Sequence, residues 1–258
     1  MDGSGVGRGG TALMLHVVYK GRALPLAWRG RQAPQGHLPE ELHITLVALI
    51  SGLLPAGAQG GLGAGECAGT RLRHTLQQAG WSYACRTATS TVAPWKSEPF
   101  RLDALGACLT PGRLIELQEV YGTRQAYGPI LLRCCGAKGY HEPLDVVSTL
   151  ATAEEACHGY AKRFRRATFF SDQKSRGFHI HPSPISDVQR LSRLLIAACL
   201  ASIWIVSLGS VCAKARWRPI IHRRKRCDVS LFPLGLRLLE YGLNEALSMP
   251  VQFYLPIE

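Results

Sequence analysis

TALMLHVVYKGRALPLAW, residues 11–28, contains two runs of apolar and β-branched residues, Thr11–Lys20 and Arg22–Trp28, around a Lys-Gly turn. Two such runs separated by a short turn predict a β-hairpin. A helix is predicted to begin at residues 39–41 (PEE), because proline fits the first turn of a helix and acidic side chains suit its positive end. Pro55 ends that helix. Strands followed by a helix indicate a mixed α/β class.

Patterns of both kinds continue along the chain. Residues 56–69 (AGAQGGLGAGECAG) are mostly Gly and Ala, which offer little to bury and favour only a weak strand. The overall order predicts a mixed α/β part, a β-rich stretch and a helical part. The helical patterns lie at 70–79, 153–175, 187–213 and 231–247, and the β-like runs at 81–87, 100–105, 114–123, 130–135 and 145–150.

Composition narrows the class of protein and of partner. Of the 258 residues, 47% are hydrophobic and 19% are charged, which supports a buried core and argues against a disordered or collagen-like chain. The formal net charge of +12 favours a polyanionic partner, either nucleic acid or an anionic membrane surface. The nine cysteines form no C-x-x-C pair and no apolar secretion signal opens the sequence. We therefore expect reduced cysteines in an intracellular protein.

One apolar run raises the possibility of a membrane protein. Residues 194–213 carry no charged side chain, and about 20 apolar residues suffice to span a bilayer. Serines and a glycine dilute the run, and basic residues on both sides give no clear orientation. A buried core helix is the favoured interpretation, and a single-pass membrane protein is the alternative.

The segment YAKRFRRATFFSDQKSRG, residues 160–177, carries the pattern that most directly concerns function. In a continuous α-helix, Tyr160, Arg163, Ala167 and Lys174 fall within about 60° of one another on one face. A phenol, a guanidinium and an ammonium along one face are suited to binding phosphates, although a solvated basic face is the simpler alternative. Residues 222–226 (HRRKR) form a second basic patch.

This stripe resembles the Y-x2-R-x3-E-x6-K signature of the DDE transposases of bacterial insertion sequences, in the family named after the fourth such sequence. Other segments in the same order resemble that family as well. The segment at Asp2–Gly10 (DGSGVGRGG) resembles the one around its first catalytic aspartate, and Gly63–Leu72 (GAGECAGTRL) the one around its second. Three later segments of this chain resemble the C-terminal part of the family: Lys174–Phe178, Arg190–Ile205 and Ser230–Tyr241.

The resemblance implies a ribonuclease-H-like mixed sheet with a β-rich insertion and a helical C-terminal part. The implied divisions are residues 1–89 for the first part of the core, 90–150 for the insertion and 151–258 for the helical remainder of the catalytic domain. The implied activity is metal-dependent DNA cleavage and strand transfer, in which three carboxylates hold two divalent ions, usually Mg²⁺. The implied DNA-binding residues are Tyr160, Arg163, Arg165, Arg166, Lys174, Ser175 and Arg176.

This sequence departs from the family at its acidic positions. Asp2 stands at the first aspartate and is the expected catalytic residue and metal ligand, but Ala64 and Ala167 occupy the positions of the second aspartate and the glutamate. A further aspartate position of the second motif is Ala68. Glu66, two residues beyond position 64, would share its face in a strand and is a candidate substitute ligand. We therefore expect weakened Mg²⁺ binding and impaired catalysis.

The resulting prediction is a transposase-like protein that binds insertion-sequence ends, forms homo-oligomers and does not enter the membrane. Its expected location is the bacterial cytoplasm, in association with the nucleoid. Met1 lies one residue before Asp2, so the first strand is expected to lack its upstream half, as in a truncated copy without the family's N-terminal helical DNA-binding region. The alternative from another class is a non-catalytic protein that binds DNA or interferes with transposase subunits.

Overall fold

The computed structural model divides the chain into two units. The first unit comprises Met1–Ser4, Thr11–Arg29 and Ala33–Ala167, and the second comprises Gly5–Gly10, Gly30–Gln32 and Thr168–Glu258. The structure describes residues 1–19, 21–32, 38–55, 60–64, 69–95, 98–107, 113–122, 127–135, 144–180, 182–214, 217–222 and 228–249.

Strands and helices follow one another in the mixed order that the sequence predicts. The strands are β1 (Asp2–Val6), β2 (Gly10–Tyr19), β3 (Arg22–Gln32), β4 (Gly61–Ala64), β5 (Ser82–Arg86), β6 (Val92–Trp95), β7 (Glu98–Arg101), β8 (Leu114–Gly122), β9 (Tyr127–Cys135) and β10 (Leu144–Ser148). The helices are α1 (Glu40–Ser51), α2 (Thr70–Gln78), α3 (Leu102–Ala107), α4 (Ala153–Ala161), α5 (Arg165–Ser171), α6 (Val188–Lys214), α7 (Arg218–Ile221) and α8 (Leu231–Asn244).

The hairpin predicted for residues 11–28 is confirmed as β2 and β3, which form a three-stranded sheet in the order β1-β2-β3. Gly21 turns the chain between β2 and β3 with a φ of +76°, a conformation that glycine adopts without steric cost. The turn between β1 and β2 likewise has positive φ at Gly7 and Gly9.

A five-stranded sheet in the order β4-β5-β10-β9-β8 forms the centre of the first unit. β4 and β5 are parallel, and the other pairs are antiparallel. The β-like runs predicted at 114–123, 130–135 and 145–150 are thus confirmed as strands of this sheet. The run predicted at 100–105 is partly wrong, because the chain becomes helical at Leu102, whose side chain is buried in the core.

Helices cover both faces of this sheet. Leu62 and Tyr83 belong to the main hydrophobic cluster together with Leu46 and Val47 of α1. Their neighbours in the strands point the other way: Ala84, for example, clusters with Tyr160 of α4. The mixed α/β class is therefore confirmed, with α1 and α4 on opposite faces of β4 and β5.

In the second unit, α6 and α8 pack closely at two glycines. A Cβ atom at Gly209 would lie closer than 3.0 Å to the backbone of Leu231, and one at Gly235 would lie equally close to the backbone of Ile205. Side chains longer than hydrogen would therefore hold the two helix backbones apart. This packing explains why glycine interrupts two otherwise apolar helices.

The apolar run at 194–213 lies within α6. Among the described residues, α6 is the one helix that is long and apolar enough to cross a membrane, with a mean hydropathy of 2.3 over its most apolar window. Of that window, 39% is buried. Leu194, Ile196 and Leu200 are exposed, whereas Leu208 and Cys212 are fully buried.

Cysteine chemistry differs from the expectation at one position. Cys157, Cys199 and Cys212 are free, as expected. Cys85 is disulfide-bonded, so the prediction that every cysteine is reduced is wrong there. Burial raises the pKa of the Cys199 thiol to about 12, which makes that group unreactive.

Candidate functional site

Asp2, the predicted first acid, forms an ion pair with Arg166. The Arg166 Nη2 atom lies 2.6 Å from Asp2 Oδ2, and Arg166 Nη1 donates a hydrogen bond of 2.8 Å to the backbone oxygen of Met1. Arg166 is buried, and this burial, partly offset by the Asp2 carboxylate, lowers the pKa of Arg166 to about 10. The guanidinium is therefore a buried cation whose counter-charge is Asp2.

Ala64 lies on a strand next to Asp2 but faces away from its carboxylate. The backbone nitrogen of Met1 donates a hydrogen bond of 2.9 Å to the oxygen of Gly63, which brings the start of β1 beside the end of β4. Met1 and Ala64 both belong to the main hydrophobic cluster. Because side chains alternate along a strand, Asp2 points to the opposite face, where Arg166 lies. A carboxylate at position 64 would therefore be buried among apolar side chains.

The glutamate position of the signature, Ala167, is exposed, and its neighbour Arg166 is the residue that reaches Asp2. The prediction of a single α-helix over 153–175 is wrong in two respects. α4 passes into a 3₁₀ turn at Lys162–Phe164 before α5 begins, and α5 is followed by a π-helical segment at Asp172–Arg176. A 3₁₀ turn advances by three residues per turn rather than 3.6 and rotates the following residues. Tyr160 and Arg166 are buried, whereas position 167 is exposed.

Tyr160 and Arg163 interact with each other. Arg163 Nη1 donates a hydrogen bond of 2.6 Å to the Tyr160 hydroxyl, and the guanidinium lies 5.4 Å from the centroid of the Tyr160 ring. The ring is 3% exposed and packs against Ala84 and Val146. Tyr160 thus anchors α4 to the sheet and orients Arg163, and a DNA contact by this phenol stays a prediction.

The remaining predicted DNA-binding residues are described only in part. Arg165 is exposed on α5. Lys174 is half-buried in a π-helical segment, Asp172–Arg176, in the second unit. Ser175 and Arg176 belong to the same segment, but their side chains lie outside the described part of the structure. Glu66 and Ala68 lie outside the described residues altogether.

The predicted basic patch at 222–226 is described at its first residue. His222 Nε2 lies 2.7 Å from Asp228 Oδ1, and its Nδ1 lies 3.0 Å from Arg237 Nη1. Because an arginine can only donate, Nδ1 is the acceptor and Nε2 carries the proton that is donated to Asp228. This histidine therefore connects the end of α7 to α8 within the second unit.

His16 is a site residue that the sequence reasoning missed. It lies on β2 within an otherwise apolar run, and a lone polar residue there was the available signal. Burial, reinforced by nearby positive charge that includes Arg166, lowers the pKa of His16 to about 3. The imidazole is therefore neutral at physiological pH.

The side chains described around Asp2 do not fit a two-metal centre. No group of three His, Cys, Asp or Glu side chains able to hold a metal ion occurs among the described residues. The one carboxylate placed here is already compensated by a guanidinium. Hard divalent cations require several oxygen ligands, and Arg166 supplies none.

Comparison of the sequence with profiles of known protein families finds no match. Comparison with curated protein sequences likewise finds none.

Proposed function

We propose that this chain is a DNA-binding relative of the insertion-sequence transposases whose phosphodiester-cleaving centre is inactive. The observation that carries the proposal is the ion pair between Asp2 and Arg166. An acid at the start of β1 retains the position that the family signature implies, but it has a guanidinium as its partner.

The ribonuclease-H-like fold is part of this proposal. It is supported by the hydrogen bond from Met1 to Gly63, because that bond brings the strand of the first acid next to the strand that ends at the second motif. It is further supported by the ion pair at Asp2, because helix α5 carries the glutamate position one residue after Arg166. Three segments that are distant in the sequence are therefore neighbours, although Ala64 faces the apolar cluster and Ala167 is exposed.

The proposed inactivity follows from the charges at the ion pair of Asp2 and Arg166. Two-metal phosphoryl transfer requires carboxylates that hold both cations near the attacking and leaving oxygens. Asp2 instead neutralises the buried Arg166, and the methyl groups of Ala64 and Ala167 offer no ligand. We propose that Mg²⁺ binds only weakly and that no phosphodiester is cleaved.

DNA affinity is the activity that remains in this proposal. It is supported by the net charge of +12 and by the exposure of Arg165 one residue before the Asp2 partner. Each phosphate contact releases condensed counterions, so such binding is independent of sequence and weakens with salt. Homo-oligomers, preference for insertion-sequence ends and a nucleoid location stay predictions.

A labelled DNA duplex tests both halves of the proposal. We expect binding whose log Kd rises linearly with log salt concentration, with the slope reduced by about 1 in Arg165→Ala if that residue contacts one phosphate. Arg29→Ala is the matched control, because it removes an exposed arginine of the same charge from β3. Supercoiled plasmid with Mg²⁺ or Mn²⁺ should remain intact.

Two results would contradict the proposal separately. Absence of duplex binding at low salt would contradict the proposed DNA binding. Nicking of plasmid that disappears in Asp2→Asn would contradict the proposed inactivity, because it would require Asp2 to act as a metal ligand.

A second candidate, a membrane-spanning protein, is supported by α6. Its hydropathy of 2.3 and the exposure of Leu194, Ile196 and Leu200 fit a lipid-facing surface. The close packing of its other end against α8 at Gly209 and Gly235 favours a core helix instead. Extraction of cell membranes with alkaline carbonate separates the two: a spanning protein stays in the pellet, and the DNA-binding protein is released.

A further inference from the structure

Helix α6 exposes apolar side chains along its first half, whereas its second half packs against α8. The close contacts with α8 lie at Ile205 and Gly209. Because α6 has 27 residues and α8 has 14, α8 is long enough to cover only about half of α6. In the first half of α6, the exposed fractions are 38% for Leu194, 49% for Ile196 and 54% for Leu200.

The exposed side chains of this first half share one face of the helix. At about 100° per residue they fall within a sector of about 160°, and the buried positions 191, 195, 198 and 199 fall on the opposite side. We call the exposed sector the α6 face. Its residues are Gln189, Arg190, Arg193, Leu194, Ile196, Ala197 and Leu200.

Both charged side chains of the α6 face are positive. Arg190 and Arg193 lie at its beginning, and α6 contains no acidic residue. The acid nearest in the sequence is Asp187, whose side chain accepts a hydrogen bond of 2.7 Å from the backbone nitrogen of Arg190. That carboxylate therefore lies at the positive end of the helix, which partly offsets its charge. The α6 face thus combines an aliphatic surface with two cations at one end.

The chemistry of the α6 face favours a lipid surface over a protein partner. Binding energy between proteins is concentrated in a few side chains, with tryptophan, tyrosine and arginine enriched among them. The apolar part of the α6 face consists of leucine, isoleucine and alanine, with no aromatic side chain. Fluid acyl chains can adapt to such a convex aliphatic surface, and headgroup phosphates are suited to the arginines beside it.

We propose that the α6 face binds an anionic membrane surface, with α6 lying parallel to the plane of the bilayer. Leu194, Ile196 and Leu200 lie among the acyl chains, and Arg190 and Arg193 lie at the headgroup phosphates. Burial of apolar area and attraction between opposite charges act together in such binding. α6 stays packed against α8, which distinguishes this arrangement from a membrane-spanning helix. The site is independent of the proposed DNA binding.

Co-sedimentation of the whole protein with lipid vesicles tests the proposal. One set of vesicles contains phosphatidylcholine alone, and the other contains phosphatidylcholine and phosphatidylglycerol in equal parts. Each arginine near an anionic surface strengthens binding about fivefold, so we expect affinity for the neutral vesicles to be at least tenfold lower. Added salt should weaken binding to the anionic vesicles, because it screens the attraction. Alkaline carbonate should release the protein.

Leu200→Ser and Leu49→Ser form a matched pair of variants. Both replace a partly exposed leucine within a helix, and Leu49 is 45% exposed on α1 of the first unit. We expect affinity for the anionic vesicles to fall about fivefold in Leu200→Ser, because an apolar side chain no longer enters the bilayer, and to change less than twofold in Leu49→Ser. Circular dichroism of both variants controls for folding.

Arg193→Gln and Arg29→Gln form a second pair, which tests the charge. Both remove an exposed arginine, and Arg29 lies on β3 in the first unit. We expect affinity for the anionic vesicles to fall about fivefold in Arg193→Gln and less than twofold in Arg29→Gln. Duplex DNA should bind equally to Leu200→Ser and to the unaltered protein, so that the two proposals can fail separately.

Several outcomes would overturn the proposal. Equal affinity for neutral and anionic vesicles would contradict the role of the arginines, and equal losses in Leu200→Ser and Leu49→Ser would place the lipid contact elsewhere. Protein that resists carbonate would be membrane-spanning. A dimer that forms without vesicles and is lost only in Leu200→Ser would assign the α6 face to a second copy of this chain. If Leu200→Ser fails to fold, hydrogen exchange of the unaltered protein decides: vesicles should slow it at residues 189–200, and unchanged exchange there would contradict the proposal.

Discussion

Neutralising Asp2 tests whether its carboxylate serves as the counter-charge of Arg166. The exposed fractions of the two side chains are 8% for Arg166 and 31% for Asp2. Breaking a fully buried ion pair costs about 3–5 kcal/mol, whereas an exposed pair contributes about 0.2–1 kcal/mol. Because one partner is buried and the other is partly hydrated, we expect Asp2→Asn to lower the free energy of unfolding by about 2 kcal/mol.

Removing the other partner should cost less. Arg166→Gln takes away the buried charge and leaves Asp2 with access to water, so we expect a loss of about 1 kcal/mol. In the double variant neither group is charged, and a loss of about 1 kcal/mol is again expected. The two single losses together exceed that of the double variant by about 2 kcal/mol, which is the coupling energy of the pair.

Urea unfolding followed by circular dichroism measures this cycle, with and without Mg²⁺. Asp103→Asn is the control, because it breaks an ion pair with Arg101 that is exposed, and its midpoint should match that of the unaltered protein. Additive losses in the double variant would refute the counter-charge role. A Mg²⁺-dependent rise in stability that Asp2→Asn abolishes would show that Asp2 holds a cation after all.

Three further predictions concern stability. Gly235→Ala should destabilise the second unit by about 1–3 kcal/mol in a urea titration, because the added methyl group meets the backbone of Ile205. The contrasting Gly52→Ala, where a Cβ has ordinary space and φ is −71°, should stabilise by about 0.5 kcal/mol. The pKa of His16 is lowered from 6.5 to about 3, so below pH 6.5 the unfolded state takes up a proton that the folded state does not. The free energy of unfolding of the unaltered protein, measured relative to that of His16→Gln by chemical denaturation, should therefore fall by about 1 kcal/mol between pH 7.5 and 5.5. Thr152→Ala should cost about 1 kcal/mol by calorimetry, because the Thr152 side chain accepts a hydrogen bond at the start of α4, and Thr152→Ser should restore it.

Local patterns in the sequence were sufficient to predict most elements of the fold. The hairpin around Gly21 and helix α1 follow from alternation, turn chemistry and the acidic first turn. These signals act within a few residues, so they do not depend on what lies next to the element. For the same reason they did not predict that β8 and β9 join the sheet of β4 and β5.

β4 shows where composition misleads. Its sequence, GLGA, has little to bury and predicted only a weak strand, yet it pairs with β5 over its full length. Gly60 just before the strand and Gly63 within it have close neighbours: a Cβ at Gly60 would overlap the Trp81 ring, and one at Gly63 would lie 3.1 Å from the oxygen of Gly159. Tertiary packing thus favours a strand that local propensity does not.

The ion pair of Asp2 could not be predicted from the sequence. Constant rotation of 100° per residue places position 167 on the face of Tyr160, but α4 passes into a 3₁₀ turn at Lys162–Phe164, and the side chain that is buried against Asp2 is that of Arg166. Whether a helix tightens over one turn depends on the surface against which it packs. No residue within the segment indicates it.

The partnership of Asp2 and Arg166 also bears on the metal centre that the resemblance to transposases implies. Acids introduced at positions 64 and 167 would add negative charge beside a guanidinium that is buried and already bonded to the Asp2 carboxylate. At position 64 a new acid would face the apolar cluster rather than Asp2, where a charged group is strongly disfavoured. A cation at Asp2 would compete with Arg166 for the same carboxylate, and Arg166 is a buried side chain. We therefore expect Arg166→Gln, rather than new acids alone, to favour metal binding at Asp2.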